Sequence, residues 1–145
     1  VEEEMKKANY KVEYEVGTMI EIPRAALTAD EIAANADFFC FGTNDLTQYT
    51  LCVDRENPAV APLYNEFNLA VVRLIQNTLK NAQNNNIPLS VCGEMAGKKE
   101  SAIILAGFGI RNLSMTPKQI PVIKETLSRF TIQELENISM ETISY

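Results

Sequence analysis

Apolar and polar positions alternate between two textures: short apolar runs that end abruptly in polar residues, and longer stretches whose apolar positions recur every three to four residues. Residues 12–22, VEYEVGTMIEI, alternate at first and become apolar later, the pattern of a strand entering a core. Pro23 ends it. AALTADEIAAN (25–35) carries apolar residues at helical spacing, and Asp37 leads into Phe38, Phe39, Cys40 and Phe41, a second strand that gives way at once to Gly42, Thr43, Asn44 and Asp45. A loop is expected from Tyr49 to Phe67. NLAVVRLIQNTLKNAQ (68–83) then sets Leu69, Val72, Ile75, Leu79 and Ala82 on one helical face, with Asn68 placed to cap it.

A third strand, IPLSVC (87–92), precedes GEMAGKKE and the helix SAIILAG (101–107), and a turn at Gly107 to Gly109 leads to a fourth strand, RNLSM (111–115). The segment 117–130 reads as a helix, and Thr131 with Glu134 forms a capping box for a last helix, IQELENISM (132–140). Strands written as continuous apolar runs and alternating with helices predict an α/β fold with a parallel sheet covered on its faces. Right-handed crossovers then bring all strand ends to one rim, where α/β proteins hold their ligands. The FFCF run reads as a strand buried on both faces, and its polar sequel as the point where that strand emerges at the rim.

With 46% hydrophobic and 22% charged residues in 145, the chain has enough apolar material for one compact domain, so disorder is excluded. A net charge of −6 argues against a phosphate-backbone binder, so no nucleic-acid partner is expected. No apolar stretch is long enough for a membrane span, and the first residues lack a signal-peptide pattern, so a cytoplasmic chain without membrane insertion is expected. Three irregularly spaced cysteines (Cys40, Cys52, Cys92) make no disulfide framework, and with no histidine there is no His-containing zinc pattern. Val1 in place of an initiator Met, followed by what reads as the end of a helix, predicts a piece of a longer protein.

The strand ends carry Glu21, then Gly42 to Asp45, then Cys92 to Glu94, then Ser114 and Met115. Glu21 and Asp45 lie 24 residues apart, about one βα repeat, and so can offer hard oxygen ligands from neighbouring strand ends to one Mg²⁺, a cation that keeps its other sites for water and substrate oxygens. Asn44 can donate to an anionic oxygen, and Arg55, ten residues beyond Asp45, can fold back as a bidentate clamp. Cys92, with an ordinary thiol pKa near ~8.5, is protonated at neutral pH and can act as a general acid. Each residue has a plainer reading. Glu21 before a proline reads as a solvated strand end, Asn44 and Asp45 as an Asx turn opening a helix, Cys92 as a small core residue and Arg55 as a solvated loop cation.

The stretch DFFCFGTNDLTQYTLCVDR (37–55) resembles the signature of the phosphoenolpyruvate-utilising enzymes, a G-[ST]-N-D-[LM]-x-Q core followed by an Arg ten residues after the Asp. GTMIEIP (17–23) and VCGEMAG (91–97) resemble two further blocks of that family in the same order. NPAVAPLY, AVVRLI, CGEMAGKKESA and LSMTPKQIPVIKETL resemble in particular its Enzyme I branch, from the bacterial sugar phosphotransferase system, and the likeness weakens only after about residue 130. In the first two blocks, VGTMIEIPRAALTADEIA and FFCFGTNDLTQ, the chain resembles the dikinase branch at least as well. However, that branch carries a longer segment than the 47 residues from Asp45 to Cys92 found here, and usually His-Gly-Gly after Cys-Gly-Glu.

The resemblance implies a TIM (β/α)8 barrel, of which this chain would be the C-terminal half with about four strands, residues 1–145 forming a single fragment. It implies that Glu21 and Asp45 are Mg²⁺ ligands, that Asn44, Asp45 and Arg55 contact phosphoenolpyruvate, and that Cys92 protonates the enolate carbon as pyruvate forms. Cys40 stands where the family usually has Ser, Cys52 where it has a small residue, and Lys98 where an acid is common. In the family the phosphoryl group passes to a histidine on a mobile domain, and in the Enzyme I branch from there to the phosphocarrier protein HPr. This chain has no histidine, so the acceptor domain and the first barrel half are expected elsewhere and the fragment is expected to be inactive alone. Open strand edges predict self-association, in the simplest case a homodimer. Alternatives are a fragment of pyruvate phosphate dikinase or of a phosphoenolpyruvate synthase, or a non-catalytic metal- or anion-binding module.

Overall fold

The computed structural model describes residues 1–143. Four strands, β1 (Gly17–Ile20), β2 (Phe38–Gly42), β3 (Leu89–Cys92) and β4 (Asn112–Leu113), form one sheet in the order β1-β2-β3-β4, every pair parallel. Parallel neighbours in chain order, joined by helical crossovers, are the topology of a barrel; a doubly wound sheet would reverse its order at a switch point. The fold is α/β, and the four strands form half of a (β/α)8-type barrel.

The register puts Gly17, Phe38, Met19, Cys40, Ser90, Gly42, Cys92 and Asn112 on one face and Ile20, Phe39, Phe41, Leu89 and Val91 on the other. The second face is the core. Phe39, Phe41, Ile20 and Val91 are fully buried with Ala26, Val71, Ile75 and Leu105 of the covering helices. The first face is only half-buried at Phe38 and Cys40 and is exposed at Met19. Thus FFCF is buried on one face, not both, because nothing among the described residues covers the side that a closed barrel would enclose.

The helices are α1 (Glu2–Lys7), α2 (Pro23–Leu27), α3 (Ala29–Ala33), α4 (Thr43–Leu51), α5 (Leu69–Asn84), α6 (Glu94–Gly97), α7 (Lys99–Gly107), α8 (Ile120–Leu127) and α9 (Ile132–Ile143). Asn68 caps α5 by accepting from the Ala70 N–H at 3.0 Å. The capping box at α9 is closed in both directions: Thr131 N donates to Glu134 Oε2 at 2.7 Å, and Glu134 N donates to Thr131 Oγ1 at 3.3 Å. α9 packs on α7 so tightly that Gly107 faces Ser139 and the Leu135 carbonyl with no room for a side chain. Among the described residues, no helix is long and apolar enough to cross a membrane.

Several boundaries differ from the sequence pattern for local reasons. The predicted strand 12–22 pairs only over Gly17–Ile20, because residues 12–16 have no neighbouring strand; reciprocal bonds tie its start to the next strand, Val16 N to Asp37 Oδ2 at 2.7 Å and Asp37 N to Val16 O at 2.8 Å. The predicted helix 25–35 breaks at Thr28, whose backbone leaves the helical region (φ −108°, ψ 31°) while its hydroxyl bonds the Arg24 carbonyl at 3.0 Å. The loop expected from Tyr49 begins later, since α4 runs to Leu51 and is closed by Cys52 in the left-handed conformation (φ 55°). The fourth strand shrinks to two residues, and the helix predicted over 117–130 to Ile120–Leu127.

Candidate functional site

Parallel register makes Gly42 and Cys92 level partners, so the turns that follow β2 and β3 lie side by side at the C-terminal rim. Three bonds join them. Thr43 Oγ1 donates to the Cys92 carbonyl at 3.4 Å, the Glu94 N–H donates to Asn44 Oδ1 at 3.1 Å, and the Cys92 thiol donates back to the Phe41 carbonyl at 3.3 Å. Gly93 makes this close approach possible. Its φ of +114° is one that side-chain-bearing residues rarely adopt, and a Cβ there would stand 2.7 Å from Thr43 Oγ1.

Asn44 and Asp45 occupy the first turn of α4, so the Asx-turn reading and the ligand reading meet in one place. The Glu94 N–H can only donate, which fixes Asn44 Oδ1 as its acceptor and turns the Asn44 amide nitrogen outward with no hydrogen bond among the described residues. Tyr64 steadies this turn from the long loop by donating its hydroxyl to the Asn44 carbonyl at 3.3 Å. Glu21, half-buried just past β1, lies across Gly42: a Cβ at Gly42 would meet Glu21 Cβ at 2.8 Å and Oε2 at 2.9 Å. Among the described residues, neither the Glu21 nor the Asp45 carboxylate has a hydrogen-bond or ion-pair partner, and no group of three His, Cys, Asp or Glu side chains converges. Carboxylates of this kind are hard oxygen donors, which suit a cation such as Mg²⁺ that fills its other positions with water and ligand oxygens better than they suit zinc.

Cys92 is half-buried beside Cys40, whose thiol points at the same Phe41 carbonyl from 3.9 Å. Burial first, then the Cys40 thiol and the negative charge of Glu21, push the Cys92 thiol up to about 11. It therefore carries its proton at neutral pH. A cleft of about 460 Å³ opens in front of it, lined by Asn44, Glu94, Lys98, Ser114 and Met115 as well.

Arg55 does fold back to the rim, and there it meets Glu94: its Nη1 lies 3.2 Å from Glu94 Oε1. Lys98 completes the cluster, with Nζ at 2.9 Å from Glu66 Oε1 and 3.6 Å from Glu94 Oε2. Sequence reading passed over Glu66, Gly93 and Tyr64 and treated Lys98 only as a departure. The Glu94–Lys98 spacing of four was a visible helical-pair signal, whereas nothing in the sequence marks Glu66 as the partner of Lys98.

Residues 1–132 match the family described as PEP-utilising enzyme, PEP-binding domain. The chain is 44% identical to the phosphoenolpyruvate-protein phosphotransferase of Borreliella burgdorferi, over 90% of this chain and 24% of that protein. It is 42% identical to the multiphosphoryl transfer protein of Xanthomonas campestris pv. campestris (90% and 16%) and 39% identical to the phosphoenolpyruvate-protein phosphotransferase of Bacillus subtilis (98% and 25%). The chain spans a quarter or less of the length of these curated relatives. With the family matched over nearly the whole chain, this protein belongs to the PEP-utilising enzymes, and the part in hand corresponds to their PEP-binding domain.

Proposed function

We propose that the rim is the phosphoenolpyruvate and Mg²⁺ site of a phosphotransferase that moves the phosphoryl group of phosphoenolpyruvate to an enzyme histidine and then to HPr, releasing pyruvate for sugar uptake. One observation supports the reading: Glu21 lies across Gly42 at the end of β2, and the Asn44 turn that follows is hydrogen-bonded to the turn of Cys92 and Glu94. The names of the relatives support the phosphotransferase over the dikinase and synthase alternatives.

In this reading Glu21 and Asp45 would hold the cation, which when bound would draw charge from the ligand's phosphate and enolate oxygens. The Asn44 amide donates to an anionic oxygen, and the Arg55 guanidinium balances the ligand's charge once it turns from Glu94. As the phosphoryl group departs, the methylene carbon of the enolate takes the proton from Cys92 Sγ, pyruvate forms, and solvent reprotonates the thiolate. A thiol held at about 11 keeps that proton available throughout the neutral range. The chain has no histidine to accept the phosphoryl group and four strands among the described residues, so in this reading the acceptor and the other barrel strands come from elsewhere in a longer protein, and the chain alone is catalytically silent. Its place is the cytoplasm.

The uncovered sheet face and the two sheet edges support self-association, read as a homodimer; a monomer by light scattering at micromolar concentration would end that part of the reading. The site itself is tested by titrating the chain with oxalate, an enolate mimic, in the presence of Mg²⁺. Binding should be lost in Asp45→Ala, and unchanged binding would remove Asp45 from the metal site. Pyruvate production by the isolated chain would contradict its silence.

A further inference from the structure

Two cations and two carboxylates form a chain across the mouth of the site: Arg55, Glu94, Lys98 and Glu66. The two acids differ sharply in setting. The Glu66 side chain is 6% exposed and has Lys98 as its ion-pair partner, whereas the Glu94 side chain is 60% exposed. Among the described residues Lys98 is the cation paired with Glu66, and a buried carboxylate that lost it would be left charged and unpaired, so Lys98 is anchored at the Glu66 end. Burial alone would lower the Lys98 ammonium, but the hydrogen bond and charge of Glu66 outweigh it and hold the group above the usual lysine range. At the other end, an exposed pair at 3.6 Å contributes little and exchanges readily.

Glu94 uses both oxygens, Oε1 toward Arg55 and Oε2 toward Lys98, and so lies between guanidinium and ammonium as the edge of a phosphate would. Glu94 and Lys98 also stand on the boundary between two clefts, the one of about 460 Å³ in front of Cys92 and another of about 490 Å³ containing Arg55 and Tyr64.

We propose that Lys98, positioned by Glu66, is a second cation for the oxygens of a phosphoryl-bearing ligand, and that Glu94 is an internal stand-in for that ligand which holds Arg55 and Lys98 ready and must be displaced. This rests on the reading of the rim as an anion site. A doubly charged phosphate between two cations outcompetes a single carboxylate tethered there, so ligand entry is an exchange of one anion for another. The same pairing keeps two like charges from repelling each other while no ligand is bound.

The test is a titration of the isotope-labelled chain with inorganic phosphate at constant ionic strength, followed by amide chemical shifts. Saturating shifts are expected at Glu94 and Lys98. Lys98→Arg should keep the affinity, Lys98→Ala should weaken it about tenfold and Glu94→Gln should tighten it severalfold. Since Lys98→Ala strands the buried Glu66, the double variant Glu66→Gln with Lys98→Met removes both charges while preserving bulk, and it should weaken phosphate equally at an unaltered melting temperature. No saturable phosphate binding, equal affinity in the double variant, or no tightening in Glu94→Gln overturns the proposal. A parallel titration with oxalate and Mg²⁺ separates the two readings. Loss of oxalate binding with the phosphate effects intact removes the metal site alone, and normal oxalate binding with phosphate insensitive to Lys98 removes this inference alone.

Discussion

Gly42→Ala asks directly whether Glu21 is held where a metal ligand must be. The Gly42 backbone, at φ −92° and ψ 78°, lies on the side that alanine accepts, so the substitution adds a methyl group without left-handed strain. That methyl would meet Glu21 Cβ at 2.8 Å, Glu21 Oε2 at 2.9 Å and Met19 Sδ at 3.0 Å. The sulfur and the carboxylate oxygen can swing aside, but Glu21 Cβ is tied to the chain and β1 has to give. Overpacking of this kind costs about 1–3 kcal/mol, and the loss of glycine's freedom in the unfolded state returns about 0.4–1 kcal/mol. The net cost expected is about 1 kcal/mol. With a urea slope of about 2 kcal/mol per molar, the unfolding midpoint should fall by roughly 0.5 M. The displaced carboxylate should also weaken Mn²⁺, used as a paramagnetic surrogate for Mg²⁺, by about tenfold. A variant with the parent's midpoint and the parent's Mn²⁺ affinity would refute the reasoning. A lower midpoint with unchanged affinity would retain the packing argument and remove Glu21 from the site.

Gly107→Ala should be more damaging, because its Cβ would sit 1.9 Å from Ser139 Oγ and 2.1 Å from the Leu135 carbonyl oxygen, so α9 must lift off α7. A loss of about 3 kcal/mol, read as a fall in Tm of about 10 °C, is expected, and an unchanged Tm would contradict the packing described. The raised Cys92 thiol predicts a direction with pH: above about 8.5 the unfolded chain loses this proton while the folded chain keeps it up to about 11, so stability falls across that window. Urea midpoints of the parent and of Cys92→Ser should diverge in that interval, the parent falling faster. Iodoacetamide at pH 8 should alkylate the exposed Cys52 well before Cys92, and equal rates would count against a half-buried, protonated thiol.

What the sequence made legible depended on whether the controlling contacts were local. The repeat of apolar run, polar end and helix sufficed for the parallel sheet, since crossover handedness leaves a chain few ways to arrange such a repeat. Asn68 and the Thr131–Glu134 pair were readable because a cap acts within three residues. The break at Thr28 was hidden by alanines that favour helix on both sides. FFCF could not disclose which of its faces is open, because continuous apolarity carries no period. At the rim, the three ordered blocks marked Glu21, Asn44, Asp45, Arg55 and Cys92, but the ion pairs of Lys98 with Glu66 and of Arg55 with Glu94 join segments 32 and 39 residues apart, and no local rule links them. Gly93 was equally silent, since its need for φ +114° arises from Thr43 on the neighbouring strand end.

The register of the sheet also bears on the order in which the site comes into being. β1 and β2 pair across 21 residues (Gly17 with Phe38) and β3 and β4 across 22 (Ser90 with Asn112), but β2 meets β3 across 50 (Phe39 with Leu89). By loop-closure entropy the middle pairing costs about 0.8 kcal/mol more than either flank, and so on that term alone it is the last to close. Glu21, Asn44 and Asp45 lie on one side of that seam and Cys92, Gly93 and Glu94 on the other. Pulsed hydrogen exchange during refolding should therefore find the Phe39 amide, which donates to the Pro88 carbonyl at 2.8 Å across the seam, protected later than amides within either flank; simultaneous protection would remove the ordering. Nascent chains would accordingly pass through two half-formed layers, each with only part of the rim, before any ligand has a place to bind.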